Sequence, residues 1–311
     1  MIDPNIKMTR RSFLGTVGTL TSVMLLPPRR LPAAENRFLL RPIPSSGERL
    51  PVMGMGTSRT FDVQGDAAAM EQLAQVLAAF FDNGGRLIDS SPMYGSAESV
   101  IGKLLGSKQG KSSLFAATKV WTDGRAAGIA QMERSMQRLG VDVIDLMQIH
   151  NLRDWKTHLP VLREWKQKGR IRYIGITTSH GRDHEALAQV LRTETLDFVQ
   201  FSYNIADRAA EEQLLPLAAD HGVAVLINRP FQRGSLFQKT RGRGLPAWST
   251  EFDCNSWAQF FLKFIIAHPD VTCVIPATSK VKHMTDNMAA GVGSLPDADL
   301  RRRMVTHVAS L

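Results

Sequence analysis

The chain has 311 residues, of which 43% are hydrophobic and 22% charged, with a formal net charge of +9 and two cysteines, Cys254 and Cys273. This composition is typical of a globular protein and excludes the fibrous, disordered and disulfide-framework classes. The charge is uneven, since residues 1–34 hold five basic residues and one acid, and no basic stripe is interleaved with aromatic residues, so nucleic-acid binding is not expected.

The first predicted element is an export signal over residues 1–34. Arg10 and Arg11 precede an apolar stretch over 13–26, which is shorter than the roughly 20 residues of a membrane span. The segment TRRSFL resembles the twin-arginine signal, and this resemblance implies a translocon partner during export and a periplasmic location. Stable membrane insertion is not expected. A membrane tether through an uncleaved signal and a disordered basic tail are the alternatives.

From residue 52 onwards, short apolar runs rich in β-branched residues alternate eight times with helical patterns. The predicted strands end near residues 56, 89, 119, 150, 176, 201, 227 and 275. The predicted helices cover 67–83, 96–106, 126–139, 157–168, 183–192, 209–220, 255–267 and 280–290. Eight parallel strand–helix units predict an α/β fold of the (β/α)8 TIM barrel type, formed by residues 35–311 as one domain.

Two further segments frame this repeat. Before the first barrel strand, the stretch RFLLRPIPSSGERLP predicts a β-hairpin that turns at Ser46 and Gly47 and closes the bottom of the barrel. After the seventh strand, residues 228–254 form a long loop with several basic residues before any acid. This loop is interpreted either as a solvated surface loop or as a lid over an anionic ligand.

Polar side chains stand at the ends of three neighbouring predicted strands: Asp89, Lys119 and His150, with Tyr94 in the loop after Asp89. In a TIM barrel the active site lies at these strand ends. A tyrosine hydroxyl has a pKa of about 10, which a nearby ammonium lowers, while an imidazole can orient a carbonyl oxygen. The set suits proton donation to an oxygen during hydride transfer. No residues show metal-site spacing, so an organic hydride donor is expected.

The segments IDSSPMYGSAE, ATKVW, QIHN and VQFSYN are similar to those of the aldo-keto reductases, over roughly residues 37–311. The resemblance implies reduction of an aldehyde or ketone with NADP(H). It makes Tyr94 the proton donor, Lys119 and Asp89 its tuning pair, and His150 the substrate-orienting residue. It also implies that cofactor contacts come from Gly56, Thr57, Thr177, Thr178, Gln200, Tyr203, Arg229, Phe231, Thr278, Ser279, Lys280, His283, Asp286 and Asn287.

Specific roles follow from the same resemblance. Gln200 would bind the nicotinamide carboxamide, and Tyr203 would stack under the nicotinamide ring. Met93 and Trp121 would give the substrate pocket an apolar wall. The oligomeric state expected is a monomer.

Two departures from the family pattern concern the cofactor. Thr177 and Thr178 replace the usual Ser-Asn pair that grips the carboxamide, and Ala277 stands where a lysine is common in NADPH-dependent members. Lys280 and Lys282 are near enough in sequence to compensate. Two rival functions stay open: a cofactor-binding regulatory or sensor subunit with little turnover, and a lyase or isomerase acting on phosphorylated sugars.

Overall fold

Eight short parallel strands lie side by side in chain order and close into a barrel. The computed structural model describes residues 38–106 and 113–311, so the predicted export signal lies outside the described residues. The barrel strands are β3 (Met55–Gly56), β4 (Leu87–Asp89), β5 (Phe115–Val120), β6 (Ile144–His150), β7 (Ile171–Thr177), β8 (Phe198–Ser202), β9 (Ala224–Asn228) and β10 (Cys273–Val274). Each strand pairs with the next, and parallel bridges from Met53 to Val274 and from Gly56 to Ala277 close the ring. The predicted (β/α)8 barrel is therefore confirmed.

Helices follow the barrel strands. They are α1 (Ala67–Asp82), α2 (Ala97–Leu105), α3 (Arg125–Leu139), α4 (Trp155–Gln167), α5 (His184–Thr193), α6 (Leu214–Asp220), α7 (Ser235–Lys239), α8 (Trp257–Ile266), α9 (Val281–Ala289) and α10 (Ala298–Ala309). The pattern at 209–220 proves to be a 3₁₀ turn, Ala209–Glu211, followed by α6. Helix α10 was not predicted. Residues 228–254 are not a structureless loop, because they contain α7 between 3₁₀ turns at Gln232–Gly234 and Ala247–Phe252.

None of the helices in the described ranges combines the length and apolarity that crossing a membrane requires.

The predicted hairpin is present at the start of the described chain. β1 (Leu40–Pro42) pairs antiparallel with β2 (Arg49–Pro51), and the turn includes Gly47 at a φ of 75°, a left-handed conformation that favours glycine. Ile43 and Leu50 are fully buried in a core cluster with barrel residues such as Phe115. The hairpin therefore closes the barrel at the end where the strands begin.

The interior of the barrel follows from the two-residue period of its strands. Along β5, Phe115 and Ala117 belong to the cluster inside the barrel, whereas Val120 packs between the barrel and the helices. Phe115, Tyr173 and Phe198 form an aromatic layer with ring centroids 5.5–6.2 Å apart. Further along the same strands the inward residues become polar. The apolar layer thus supports a polar layer at the carboxyl ends of the strands.

Candidate active site

Lys119 and Asp89 form a buried ion pair in this polar layer. Lys119 Nζ lies 2.6 Å from Asp89 Oδ2 and also donates to the Ser90 carbonyl at 2.6 Å, and both side chains are almost completely buried. Burial lowers the pKa of Lys119, but the negative charge of Asp89 and the neighbouring Tyr94 raise it above its usual value on balance. The ammonium is therefore charged at neutral pH.

Two buried amides complete the hydrogen bonding of Asp89. Gln148 Nε2 and Gln200 Nε2 donate to Asp89 Oδ1 at 2.9 and 3.0 Å. Gln200 Oε1 in turn accepts from Asn228 Nδ2 at 3.3 Å. Sequence reasoning missed Gln148 and Asn228. Gln148 could have been found, because it lies two residues before His150 in the same strand and so points the same way.

Gly175 makes room for this network. A Cβ atom at Gly175 would lie 2.9 Å from Gln148 Cγ and 3.3 Å from Phe198 Cβ, closer than such atoms normally approach. The glycine is required here by side-chain packing inside the barrel, since its φ is not in the left-handed region.

Tyr94 lies beside the ion pair at the wall of a cavity. Lys119 Nζ is 5.3 Å from the centroid of the Tyr94 ring, and the ring meets that of His150 edge-on at 6.2 Å. Burial raises the pKa of Tyr94, and the opposing effect of Lys119 does not overcome it. From the Lys119 ammonium alone, the sequence predicts a lowered pKa for the Tyr94 hydroxyl. The difference arises because the same burial that brings Lys119 close also disfavours the phenolate.

His150 is held by a hydroxyl from the neighbouring strand. Its Nδ1 lies 2.9 Å from Thr177 Oγ1, which also accepts the Asn151 backbone N–H at 3.3 Å. In the described part of the chain, no other acceptor pairs with the Thr177 hydroxyl, so its proton is assigned to the bond with Nδ1. Neutral His150 then carries its own proton on Nε2. Burial, with a contribution from Lys119, lowers the pKa of His150 to about 3, so the ring is neutral at physiological pH.

A cavity of about 490 Å³ opens over these groups, within the size range of small-molecule sites. Predicted site residues in its wall are Gly56, Thr57, Asp89, Met93, Tyr94, His150, Gln200, Arg229 and Phe231. Residues that sequence reasoning did not single out are also present, among them Arg59, Asn151, His180, Asn228, Arg233 and Phe237. Met93 is 40% exposed and Phe237 38% exposed, so both contribute apolar surface at the cavity.

Tyr203 is one of the predicted residues that do not line the cavity. Tyr203 follows β8 on the outer side of the barrel, where its ring packs 5.9 Å from Phe264 and its hydroxyl binds Glu211 and Arg301. It is fully buried there and does not line the cavity, so this position is incompatible with stacking under a nicotinamide ring. The physical reason is the strand period: Gln200 and Ser202 face inward, and the residue after Ser202 faces outward.

Trp121 and Asp286 are two further predicted site residues that do not line the cavity. Trp121 is half-buried outside the cavity wall, and the guanidinium of Arg153 lies 5.0 Å from its ring centroid. Asp286 accepts hydrogen bonds from Ser256 Oγ at 2.8 Å and Gln259 Nε2 at 2.7 Å, which links α9 to the start of α8. Its carboxylate is thus already occupied by the protein.

The segment after β10 presents cations at the start of α9. Lys280 is the N-cap residue of α9, and Lys282 and His283 are exposed in its first turn. Thr278 is buried and its hydroxyl accepts the Lys280 backbone N–H at 3.1 Å, while Ser279 is half-buried between them. Thr178 and Asn287 are buried and do not line the cavity.

The chain matches the model of the aldo/keto reductase family over residues 52–303. It is 31% identical over 185 residues to an NADH-specific methylglyoxal reductase of Escherichia coli. This match includes 49% of this chain and 54% of that protein, so the chain spans only about half the length of this relative. Methylglyoxal reductase YeaE of E. coli is 27% identical over 81% of this chain and 89% of its own length. An aldo/keto reductase from Klebsiella pneumoniae, solved with NADP and acetate, superposes with a TM-score of 0.70 at 24% identity, over 84% of this chain and 93% of that one.

Proposed function

The chain belongs to the aldo/keto reductase family of oxidoreductases, and we propose that it reduces the carbonyl group of an aldehyde or ketone with NADPH, with Tyr94 as the proton donor. The observation that carries the proposal is the buried Lys119–Asp89 ion pair beside the Tyr94 ring, in the wall of the cavity that also contains His150.

The residues present fit a nicotinamide dinucleotide. Gln200 and Asn228 stand in the cavity wall with their amide N–H groups bound within the protein, so their amide oxygens would accept hydrogen bonds from the carboxamide NH2. Arg229, in the cavity wall, would hold the pyrophosphate, and Lys280, the N-cap residue of α9, would hold a 2′-phosphate. When bound, this cofactor supplies the hydride that forms the new C–H bond.

Side chains of the protein orient and protonate the carbonyl oxygen of the substrate. Its negative charge develops as the C=O electron pair moves onto oxygen, and the Tyr94 hydroxyl donates a proton there to form the alcohol. Lys119 stabilises the phenolate left behind, which regains its proton from solvent. His150, neutral and protonated on Nε2, donates a hydrogen bond to the same oxygen and orients it.

The regulatory-subunit alternative is not favoured, because a protein that only senses the cofactor has no need of a buried ion pair next to a cavity-facing tyrosine.

Preference for NADPH is part of the proposal, although the E. coli relative is named as NADH-specific. It rests on the exposed cations at the start of α9. We also propose export to the periplasm through the twin-arginine translocon and function as a monomer.

The test is cofactor oxidation across a panel of aldehydes and ketones, with Tyr94→Phe as the diagnostic variant. Removing the hydroxyl should lower the reduction rate by about 10²–10⁴-fold and leave the Kd for NADPH within about twofold, because the ring remains. Tyr203→Phe is the matched control, since its hydroxyl lies outside the cavity. Wild-type turnover retained by Tyr94→Phe would remove Tyr94 from the mechanism, and binding without turnover in the wild-type protein would favour the sensor alternative.

A further inference from the structure

The cavity carries more positive charge than the protein neutralises. Its wall includes Arg59, Arg229 and Arg233, and Arg182 lies close enough to act electrostatically on Arg229. The carboxylate in the wall is Asp89, which already binds Lys119. Within residues 38–106 and 113–311, no carboxylate forms an ion pair with any of these four arginines.

Two of these arginines form one group. Arg229 and Arg233, both from the segment after β9, hydrogen-bond the same His180 Nε2, Arg233 at 3.0 Å. Burial lowers the pKa of Arg229 to about 10, with further contributions from Arg233 and Arg59. The pyrophosphate of a dinucleotide, with one negative charge on each phosphate, matches this pair. Arg59 then has no part of the dinucleotide assigned to it.

Arg59 lies in the wall of the cavity, in a turn separate from the segment after β9. Before it, Thr57 Oγ1 donates to the Asp89 carbonyl at 3.0 Å; after it, Phe61 is fully buried. Asp62 accepts from the backbone N and the Oγ of Ser96 in the Tyr94 loop, both at 2.8 Å. The turn is therefore attached to the loop that carries the reacting group.

The backbone at Arg59 has an uncommon conformation that Arg229 and Arg233 share. Its φ is 66°, in the left-handed region that non-glycine residues seldom adopt at no cost. Arg59 is exposed at the cavity, and no carboxylate of the described residues forms an ion pair with it. A ligand that carries negative charge next to its reacting carbonyl would account for both features.

We propose that the carbonyl substrate of this protein carries its own carboxylate or phosphate group, which Arg59 binds while the carbonyl faces Tyr94 and His150. This inference rests on the proposed carbonyl reduction and adds the substrate class to it. Arg229 is near enough to Arg59 for the two positive charges to interact. The shared chemistry of the ligand is an oxyanion at one end and a carbonyl at the other.

The experiment compares pairs of related aldehydes, of which one member carries an anionic group and the other is neutral. 4-Carboxybenzaldehyde is paired with its methyl ester, and 4-formylphenyl phosphate with 4-methoxybenzaldehyde, which separates the carboxylate from the phosphate. For at least one pair, wild-type kcat/KM should be at least tenfold higher for the anionic aldehyde than for the neutral one. The reason is that a hydrogen bond from the Arg59 guanidinium to an anionic oxygen is stronger than one between neutral groups. Arg59→Met should reduce that ratio at least tenfold, and Arg59→Lys should restore part of it. Arg134→Met, on the exposed side of α3, should keep it.

Terephthalate, which has no aldehyde to reduce, gives a readout independent of turnover. Calorimetry should show at least tenfold weaker binding of terephthalate by Arg59→Met than by the wild type, with terephthalamide bound by neither. Equal kcat/KM within both aldehyde pairs, or terephthalate binding that Arg59→Met leaves unchanged, would overturn the inference and leave carbonyl reduction standing. Terephthalate binding that depends on Arg59, in a protein that reduces no aldehyde, would support the anion site and contradict the proposed function.

Discussion

At the scale of single residues, the site depends on how each polar atom is paired. Asp89 uses one carboxylate oxygen for Lys119 and the other for Gln148 and Gln200, so the acid is fully hydrogen-bonded in the barrel interior. Burying an ion pair is expensive unless such additional bonds satisfy both partners. The two glutamines are therefore part of what keeps Lys119 charged beside Tyr94.

Thr177 is expected to act on His150 rather than on the cofactor. Without the hydroxyl, neutral His150 can place its proton on either nitrogen, so fewer molecules present Nε2–H to the substrate. We expect Thr177→Val to lower kcat/KM for the carbonyl substrate by roughly two- to tenfold, the value of one neutral hydrogen bond. Thr177→Ser should recover the loss.

The cofactor Kd decides between the two roles of Thr177. If the hydroxyl serves His150, the Kd for NADPH measured by fluorescence titration stays within about twofold in Thr177→Val. A Kd that rises in step with the loss of kcat/KM would instead support the carboxamide contact that the family pattern implies.

At the scale of elements, helix termini and the hairpin position charged groups. Arg41 in β1 donates to carbonyl oxygens at the end of α8 and just beyond it, including Ile266 at 2.6 Å, His268 at 2.5 Å and Pro269 at 3.1 Å. The Ile266 carbonyl, in the last turn of α8, lacks a partner within the helix and belongs to the negative end of its dipole. One side chain thus joins the hairpin to the helix that precedes β10.

Replacing Arg41 should weaken this junction. Arg41→Ala is expected to lower the free energy of unfolding by about 1.5–3 kcal/mol, the range for hydrogen bonds to a charged group, as measured by urea denaturation. Arg134→Ala serves as the control, because its side chain is exposed on α3. An unchanged denaturation midpoint in Arg41→Ala would mean that the hairpin contributes nothing through this contact.

The start of α9 should govern coenzyme choice. A 2′-phosphate is held by fixed cations, and Lys280 stands at the N-cap, where free N–H groups also favour an anion. Lys280→Ala should raise the KM for NADPH by about tenfold or more and leave that for NADH nearly unchanged. Lys103→Ala, exposed on α2, should change neither. Equal effects of Lys280→Ala on both coenzymes, or equal wild-type affinity for them, would show that α9 does not recognise the 2′-phosphate.

At the scale of the whole molecule, the site exists only when the barrel is closed. Asp89, Lys119, Gln148, Gln200 and Asn228 come from five of the barrel strands, β4, β5, β6, β8 and β9, and meet through their hydrogen bonds inside the ring. An unfolded chain has no such site. This suits a protein that crosses a membrane already folded, as the proposed twin-arginine route requires.

The export proposal can be tested on the full chain. A twin-arginine signal is recognised through its two guanidinium groups, so Arg10→Lys combined with Arg11→Lys should keep the protein in the cytoplasm in an active form. Arg29→Lys with Arg30→Lys makes the same change outside the motif and should leave fractionation unaltered. Recovery of the first double variant from the periplasm at wild-type level would favour a general secretory route.

The sequence by itself determined the number and order of the barrel strands, the hairpin, and the grouping of Asp89, Tyr94, Lys119 and His150 at the strand ends. These follow from local information: hydrophobic period, turn residues and the position of polar residues at strand ends. Helix α10 was missed, because its packing against the barrel depends on contacts far away in sequence, such as that between Arg301 and Tyr203.

Only the tertiary structure decided which way each side chain faces and what it meets there. A shift of one residue along a strand moves a side chain to the opposite face, which is why Tyr203 lies outside the barrel and Gln148 inside it. The partner of Thr177 and the raised pKa of Tyr94 depend on burial produced by several strands together. The position of Arg59 next to the Tyr94 loop depends on the contact between Asp62 and Ser96, residues far apart in the chain. Such distances and burial are properties of the closed barrel, and no local pattern contains them.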